Sequence, residues 1–292
     1  MKVLVFGATG MLGHKLVQVL KKKFDTWSAV RTDFASIERF GISEKEKTVT
    51  GVFAEDLNSV EKALERIQPS VVINAAGIVK QKQTSKNVVG MLEVNSIFPH
   101  RLAELGATNG FRLITVSTDC VFAGTRGNYS EDDQPDALDL YGQSKHFGEI
   151  LSENCLTIRT SIIGRELATR QGLLEWLIGQ HRKKVNGYAK AIFSGFPTVV
   201  FADIILDIIV NYPNLCGVFH ISSEPISKFD LLEKIRNRLD LEVEIEKFDD
   251  FVIDRSLDST RFRTETGFSP MTWDEMIDRI AADTTPYYKW NR

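Results

Sequence analysis

Tyr141 and Lys145 stand four residues apart in Tyr141-Gly142-Gln143-Ser144-Lys145. That spacing puts both side chains on one face of a helix, one turn from each other. A tyrosine hydroxyl titrates at about 10 in isolation, and an adjacent ammonium favours its charged form. Such a pair can pass a proton near neutral pH, which a lone tyrosine does poorly. Upstream, Ser117-Thr118-Asp119-Cys120-Val121-Phe122-Ala123-Gly124 offers Thr118, a hydroxyl leaving a hydrophobic strand, as a third contact for a carbonyl oxygen. Tyr-x-x-x-Lys alone arises often by chance, and its weight comes from the elements that would position it.

Val3 to Phe6 is a short apolar run, as expected of a parallel strand buried on both faces. Gly7-Ala8-Thr9-Gly10-Met11-Leu12-Gly13 follows, and Lys15 to Lys23 has helical periodicity through Leu16, Val17 and Leu20. In this strand, glycine turn and helix, Gly7, Gly10 and Gly13, with Thr9, Met11 and Leu12 among them, would bring backbone N–H groups to a pyrophosphate at a helix N-terminus. The spacing is Gly-x-x-Gly-x-x-Gly rather than Gly-x-Gly-x-x-Gly, and a purely structural tight turn is the plain alternative.

Trp27 to Val30 reads as a second strand ending at Arg31-Thr32-Asp33. An arginine there favours a ribose 2′-phosphate and an acid the free hydroxyl, so Arg31 points to NADPH while Asp33 keeps NADH open. The plain alternative for Arg31 is a surface residue after a strand. Val52 to Leu57 looks like a third strand whose end, Asp56 and Leu57, could reach the adenine. Asn58 to Ile67 reads as a helix with Asn58 as N-cap and Pro69 as its stop. Val71 to Gly77 is a strand running into Ala75, Ala76 and Gly77, small enough for a cofactor to pass close to the backbone. Val89 to Leu105 is a helix carrying Asn95, despite Pro99, and Arg112 to Val116 is the strand that delivers Ser117 and Thr118.

Strand and helix alternate, which predicts an α/β fold with a doubly wound parallel sheet of the Rossmann type, its ligands at the carboxyl ends of the strands. The helix of Lys145 should run to about Asn154, with a sixth strand over Leu156–Ser161. Leu173–Lys183, Val199–Val210, Asp230–Leu239 and Trp273–Ala282 read as helices, and Gly217–Ser222 as a late strand. The expected division is a dinucleotide-binding Rossmann domain over 1–161, to which 198–223 returns. A smaller, mixed α/β C-terminal substrate lobe would comprise 162–197 and 224–292.

The 292 residues carry a net charge of −3 without long basic runs, so nothing electrostatic favours nucleic acid or a membrane surface. No apolar run approaches the ~18 residues of a membrane span, and the start has no signal-peptide layout. The expected location is cytoplasmic. Cys120, Cys155 and Cys216 suit neither a disulfide framework nor a zinc site. His14, His100, His146 and His220 show no ligand spacing, so no metal is assigned, and they read as ordinary core or surface positions. A homodimer is the default assembly.

With Gly7-x-x-Gly10-x-x-Gly13, Asn74-Ala75-Ala76-Gly77, Ser117-Thr118-Asp119 and Tyr141-x-x-x-Lys145 in order, the chain resembles the extended short-chain dehydrogenase/reductases. Within them it most resembles the dTDP-4-dehydrorhamnose reductase group. That likeness rests on Phe6 to Gly13, Ser-Thr-Asp-x-Val-Phe-x-Gly at 117–124, Gly148-Glu149 and Arg159-Thr160-Ser161. Arg255-Ser256-Leu257-Asp258-Ser259-Thr260-Arg261 is similar to the group's substrate-lobe signature. The resemblance implies an NAD(P)H-dependent reductase of a nucleotide-linked 4-keto-6-deoxysugar. Tyr141 would protonate the ketone oxygen, Lys145 would hold the nicotinamide ribose and lower the tyrosine pKa, and Thr118 would hydrogen-bond the same oxygen. Asn95 is implied behind Lys145 as the anchor of a water relay, with a helix-surface amide as the alternative. Asp119, Cys120, Ile162 and Arg255 are implied on the sugar-nucleotide side.

Cys120 and Ile162 depart from the group, which commonly has aromatic residues there. A glutamate base stands at the position of Cys120 in related dehydratases, so elimination is disfavoured. A GDP-sugar epimerase-reductase does carry a cysteine there, partnered by a histidine. Here Gln171-Gly172 occupies the matching place and His181 is a poor substitute. The plainer reading of Cys120 is a small buried side chain. Trp176 and Trp273 read as core, and Phe193 and Phe196 as candidate flanks of the nucleotide base. Similar chains also serve as catalytically idle regulatory subunits that bind a partner enzyme, a reading that the set Thr118, Tyr141 and Lys145 disfavours.

Overall fold

A computed structural model describes residues 1–79 and 87–290. The chain runs β1 (Lys2–Phe6), α1 (Gly13–Leu20), β2 (Asp25–Ala29), α2 (Phe34–Glu38), β3 (Thr48–Val49), α3 (Leu57–Ile67), β4 (Val71–Asn74) and α4 (Val88–Leu92). A π turn over Glu93–Ile97 joins α4 to α5 (Phe98–Asn109), and β5 (Arg112–Val116), α6 (Leu140–Phe147) and β6 (Cys155–Arg159) follow. Then come β7 (Ile162–Ile163), α7 (Leu173–Ile178), β8 (Lys184–Phe193), β9 (Phe196–Pro197), α8 (Thr198–Asn211) and β10 (Gly217–His220). β11 (Ile226–Ser227), α9 (Lys228–Arg238), β12 (Glu244–Asp254), α10 (Thr260–Thr266) and α11 (Trp273–Ala281) complete the order.

Seven strands form one sheet in the order β10–β6–β5–β4–β1–β2–β3, with parallel pairing from β6 through β3. Parallel neighbours need crossovers, which α1, α3, α5 and α6 supply. The chain builds outward from β1 to β3, then returns to the other side of β1 as β4 and builds outward again. This is the doubly wound sheet that the alternating pattern predicts. The reversal lies between β1 and β4, where sheets of this kind take their ligands.

Leu4, Phe6, Val72 and Leu113 from the strands pack with Leu64, Ile67, Phe98 and Leu102 from the helices. The rings of Phe6 and Phe98 meet edge to face at 5.3 Å. Each such side chain contributes about 1.5–3 kcal/mol by leaving water, so the strand ends are held by a rigid base.

The chain divides into two compact units. Met1–Ser117, Leu138–Ile158 and Ala202–Val218 form the first, and Thr118–Ala137, Arg159–Phe201 and Phe219–Arg292 the second. The second contains a mixed sheet, β11–β8–β12, with β12 parallel and β11 antiparallel to β8. It also has a core cluster of Val121, Phe122, Tyr129 and Leu257.

Several local expectations are corrected. Val52–Leu57 is not a strand: Gly51 turns at φ +70°, and pairing with β2 ends after Thr48 and Val49. Asp56, not Asn58, caps α3, its carboxylate accepting from Ser59 N at 3.4 Å. The helix of Lys145 stops at Phe147 rather than near Asn154, because Gly148 presses against the π turn. A Cβ there would lie 1.9 Å from the Asn95 carbonyl oxygen. α7 ends at Ile178, capped by Gly179, so His181 lies beyond it.

Candidate active site

Gly7 leaves β1 with φ +73°, a conformation open to glycine. A Cβ on it would stand 2.7 Å from the Ala75 carbonyl oxygen and the Ala76 nitrogen. Gly13 opens α1, and a Cβ there would stand 2.0 Å from the Gly7 carbonyl oxygen. Gly10 differs: it is exposed, its N–H donates to Gly7 O at 2.9 Å, and a Cβ would come no nearer than 3.2 Å to its neighbours. Two of the glycines thus serve close backbone packing, and the third leaves the outside of the turn open.

Thr9 and Met11 are half-buried and Leu12 is buried. The first turn of α1 holds no acidic side chain, so its N–H groups offer the positive end of the helix to an anion. These features fit a dinucleotide pyrophosphate. His14, read from sequence as an ordinary core or surface position, is buried and donates from Nδ1 to Gly10 O at 2.8 Å. Its place four residues after Gly10 was the available signal.

β4 exits through Asn74, whose Oδ1 accepts from Ala76 N at 3.2 Å, into half-buried Ala75, Ala76 and Gly77. A Cβ on Gly77 would lie 3.4 Å from Asn95 Oδ1. Asn95 sits in the π turn and is 1% exposed, so it is not a helix-surface amide. Its Oδ1 accepts from Ile78 N and its Nδ2 donates to Ile78 O, both at 2.9 Å. Nδ2 also donates to Ser144 Oγ at 3.1 Å, and Ser96 Oγ donates to Ser144 O at 2.7 Å. The π turn therefore ties the exit of β4 to α6.

Asp139 caps α6 by accepting from Gly142 N at 3.0 Å, which starts the helix just before Tyr141. Tyr141 is half-buried and Lys145 buried, one turn apart on α6. Lys145 Nζ donates to Val116 O, at the end of β5, at 2.6 Å. Burial pulls the ammonium down to about 8, with the Glu149 carboxylate working the other way. A lysine so placed is poised close to physiological pH.

In the second unit, Thr118 begins a single 3-10 turn over Asp119–Val121. Its Oγ1 accepts from Cys120 N at 3.2 Å and donates to Asp119 Oδ1 at 3.1 Å. Burial pushes the Asp119 carboxyl up, against hydrogen bonds from Cys120, Thr118 and Ser161 and the charge of Arg255. Arg255 donates from Nε to Phe122 O at 2.7 Å and places Nη1 3.9 Å from Cys120 Sγ. Cys120 is half-buried beside this guanidinium rather than a core side chain.

Arg255 to Ser259 stitches the unit together, with Ser256 Oγ accepting from Asn128 N at 2.8 Å and Leu257 N donating to Ser194 Oγ at 3.1 Å. Ile162 is half-buried in β7, opposite Phe196 of β9. Phe193 and Phe196 are core, not exposed flanks for a base: Phe193 packs on Trp273 and Phe196 on Phe201. Trp176, expected in the core, is exposed on α7.

Thr118, Asp119, Cys120 and Arg255 are thus joined within the second unit, as Gly7, Gly13, Ala75, Ala76, Gly77, Asn95 and α6 are within the first. Arg31 is exposed beyond β2. Asp33 caps α2, its Oδ1 taken by Ser36 N at 2.9 Å and Ser36 Oγ at 2.7 Å. Asp56 is exposed with its carboxylate on α3, beside half-buried Leu57. Sequence reasoning gave no role to Glu149, whose carboxylate takes Ser117 Oγ at 2.8 Å and meets His146 Nδ1 at 2.9 Å. Among the described residues no group of three or more His, Cys, Asp or Glu is placed to hold a metal, and no helix is long and apolar enough to cross a membrane.

The family model described as the RmlD substrate binding domain matches residues 1–285. A dTDP-4-dehydrorhamnose reductase of Aggregatibacter actinomycetemcomitans is 26% identical over 96% of this chain and 98% of its own length. Methionine adenosyltransferase 2 subunit beta of Bos taurus is 30% identical over 51% of this chain and 41% of its own. The crystal structure of dTDP-4-dehydrorhamnose reductase from Bacillus anthracis str. Ames in complex with NADP has the same fold. Its TM-score is 0.80 at 22% identity, over 97% of this chain and 99% of that one.

Proposed function

Since this chain belongs to the RmlD substrate binding domain family, we propose that it is an NADPH-dependent reductase of a nucleoside-diphosphate-linked 4-keto-6-deoxysugar. The observation that carries the reading is the buried Lys145 one turn after Tyr141 on α6. Burial of an ammonium is costly, and a chain that only packed a helix there would do better with an apolar residue. The full-length likeness to a dTDP-4-dehydrorhamnose reductase supplies the substrate class, and an NADP complex in the same fold supports the cofactor.

Gly7, Gly10 and Gly13, with Thr9, Met11 and Leu12, would hold the pyrophosphate, and Ala75, Ala76 and Gly77 would let the cofactor pass close to the backbone. Arg31 would meet the 2′-phosphate that distinguishes NADPH, Asp56 and Leu57 would border the adenine, and NADH is the weaker alternative. The bound nicotinamide supplies the hydride. Tyr141 gives its proton to the ketone oxygen as negative charge develops there. Lys145 keeps that proton transferable and would hold the ribose hydroxyls of the bound cofactor. Thr118 hydrogen-bonds the ketone oxygen, and Asp119, Cys120, Ile162 and Arg255 belong to the substrate side. Nucleotide sugars and NADPH are cytoplasmic metabolites, which is where we place the activity.

The test is NADPH oxidation with a panel of dTDP-, UDP- and GDP-4-keto-6-deoxysugars, with Tyr141→Phe run alongside. Turnover with one nucleotide, lost by about two to four orders of magnitude in the variant, supports the reductase. Tight NADPH binding with no turnover on any sugar sinks it. That outcome would favour a second reading, an idle NADP-binding regulatory subunit, which the half-length likeness to a methionine adenosyltransferase beta subunit supports.

A further inference from the structure

His14 is fully buried in the first turn of α1, and its ring turns back to the loop before the helix. Nδ1 stands 2.8 Å from Gly10 O, and the backbone N–H of His14 donates to the same oxygen at 3.2 Å. A carbonyl oxygen only accepts, so Nδ1 carries a proton whichever charge state the ring is in. Gly10 O thus takes two donors from one residue, and the side-chain bond is the shorter.

A trans peptide keeps its carbonyl and the following N–H on opposite sides of one plane. Holding Gly10 O towards α1 therefore aims the N–H of Met11 the other way, out of the helix N-terminus. Among the described residues the N–H groups of Met11 and Leu12 meet no acceptor, and the first turn of α1 has no acidic side chain. Gly10 is exposed, and a glycine backbone has more freedom to lose than that of any other residue. Rotation of this one peptide would swing the Met11 N–H inwards and set a carbonyl oxygen against an anion in its place.

We infer that His14 is a positioning residue for the dinucleotide: its ring clamps the Gly10–Met11 peptide so that the Met11 N–H faces the pyrophosphate. The inference rests on the cofactor half of the reductase reading and not on the sugar.

The experiment uses the full chain. It has five methionines, so methionine-selective isotope labelling gives a simple amide spectrum. In the wild type, NADPH should shift the Met11 amide resonance and slow its hydrogen exchange. His14→Asn and His14→Leu differ little in size, and the asparagine keeps an N–H at the δ position. The leucine variant should lose the Met11 protection and bind NADPH roughly three- to tenfold more weakly. The asparagine variant should stay near wild type in both. Adenosine 2′-phosphate, which lacks the pyrophosphate, should bind all three proteins equally. If the leucine variant does not fold, His14→Phe is the second substitution without the donor.

A ring that only fills space would cost the asparagine and leucine variants alike, in melting temperature and in affinity for both ligands, and that result overturns the inference. So does a wild-type Met11 amide that bound NADPH leaves unprotected. Failure of the reductase reading appears separately: absence of turnover on any sugar leaves the amide measurements unchanged, whereas absence of NADPH binding by the wild type overturns both.

Discussion

Asn95 grips Ile78 by both backbone groups, accepting from its N–H and donating to its carbonyl at 2.9 Å each. The same amide reaches Ser144 on α6 at 3.1 Å. One side chain therefore sets the path of the chain leaving β4 relative to the helix that carries Tyr141 and Lys145. Asn95→Ala should cost about 1–3 kcal/mol in chemical denaturation, because it strips partners from part-buried polar groups, and should weaken NADPH binding in a fluorescence titration. Asn95→Asp sets an oxygen against the Ile78 carbonyl and should be at least as damaging. Wild-type stability in both variants would refute the clamp.

The three glycines of the turn should not be equivalent. Gly13→Ala drives a Cβ to within 2.0 Å of the Gly7 carbonyl oxygen, and backbone cannot yield as a flexible side chain can. NADPH affinity should fall at least about tenfold, or ~1.4 kcal/mol. Gly10→Ala meets its neighbour at 3.2 Å without a left-handed φ, and its loss should be several-fold smaller. Equal losses would mean that the turn yields more readily than its packing implies.

Arg31 is exposed, while the nearby carboxylate of Asp33 is committed to Ser36 as a helix cap. Arg31→Ala should weaken NADPH about 10–100-fold, the value of a charge-assisted hydrogen bond, and leave NADH little changed. An equal effect on both cofactors would remove Arg31 from the 2′-phosphate.

Asp119 gives a stability prediction with a definite sign. Its carboxyl is pushed up by burial, so the folded state holds the proton more tightly than the unfolded chain. Stability from this group is full below the unfolded value, about 3.9, and declines as pH rises through the folded value. Thermal melts should show wild type losing ground to Asp119→Asn from about pH 4 upward, after which the difference levels off. A difference that stays flat with pH would show that Arg255 and the hydrogen bonds offset burial.

The first half of the fold was legible because its signals are local. An apolar strand, a glycine turn and a periodic helix are each visible within a dozen residues, and Val3–Phe6 and Val71–Asn74 fell into place as buried strands. The long strands β8 and β12 were not legible. Lys184–Phe193 and Glu244–Asp254 alternate charged, aromatic and small residues, and they become strands only by pairing across sixty positions. Phe193 and Phe196 misled for the same reason, since they pack on Trp273 and Phe268, more than seventy residues away.

In the site, Tyr141 and Lys145 were readable from spacing, whereas the service of Glu149 and His14 depends on groups that folding brings close. Helix ends were misjudged where a glycine answers a distant contact, as Gly148 answers Asn95.

The π turn at Glu93–Ile97 makes chain length, more than residue identity, the sensitive quantity in this stretch. Each residue in a helix advances the side chains by about 100°, and a π turn fits one extra residue into a revolution. Removing any single residue between α4 and Asn95 would let the helix relax to ordinary pitch and reset its angular phase. The amide of Asn95 would then point away from Ile78 with every atom of its side chain intact. In a mutational survey, most substitutions on the exposed side of this helix should pass unnoticed, while a one-codon deletion should silence the protein.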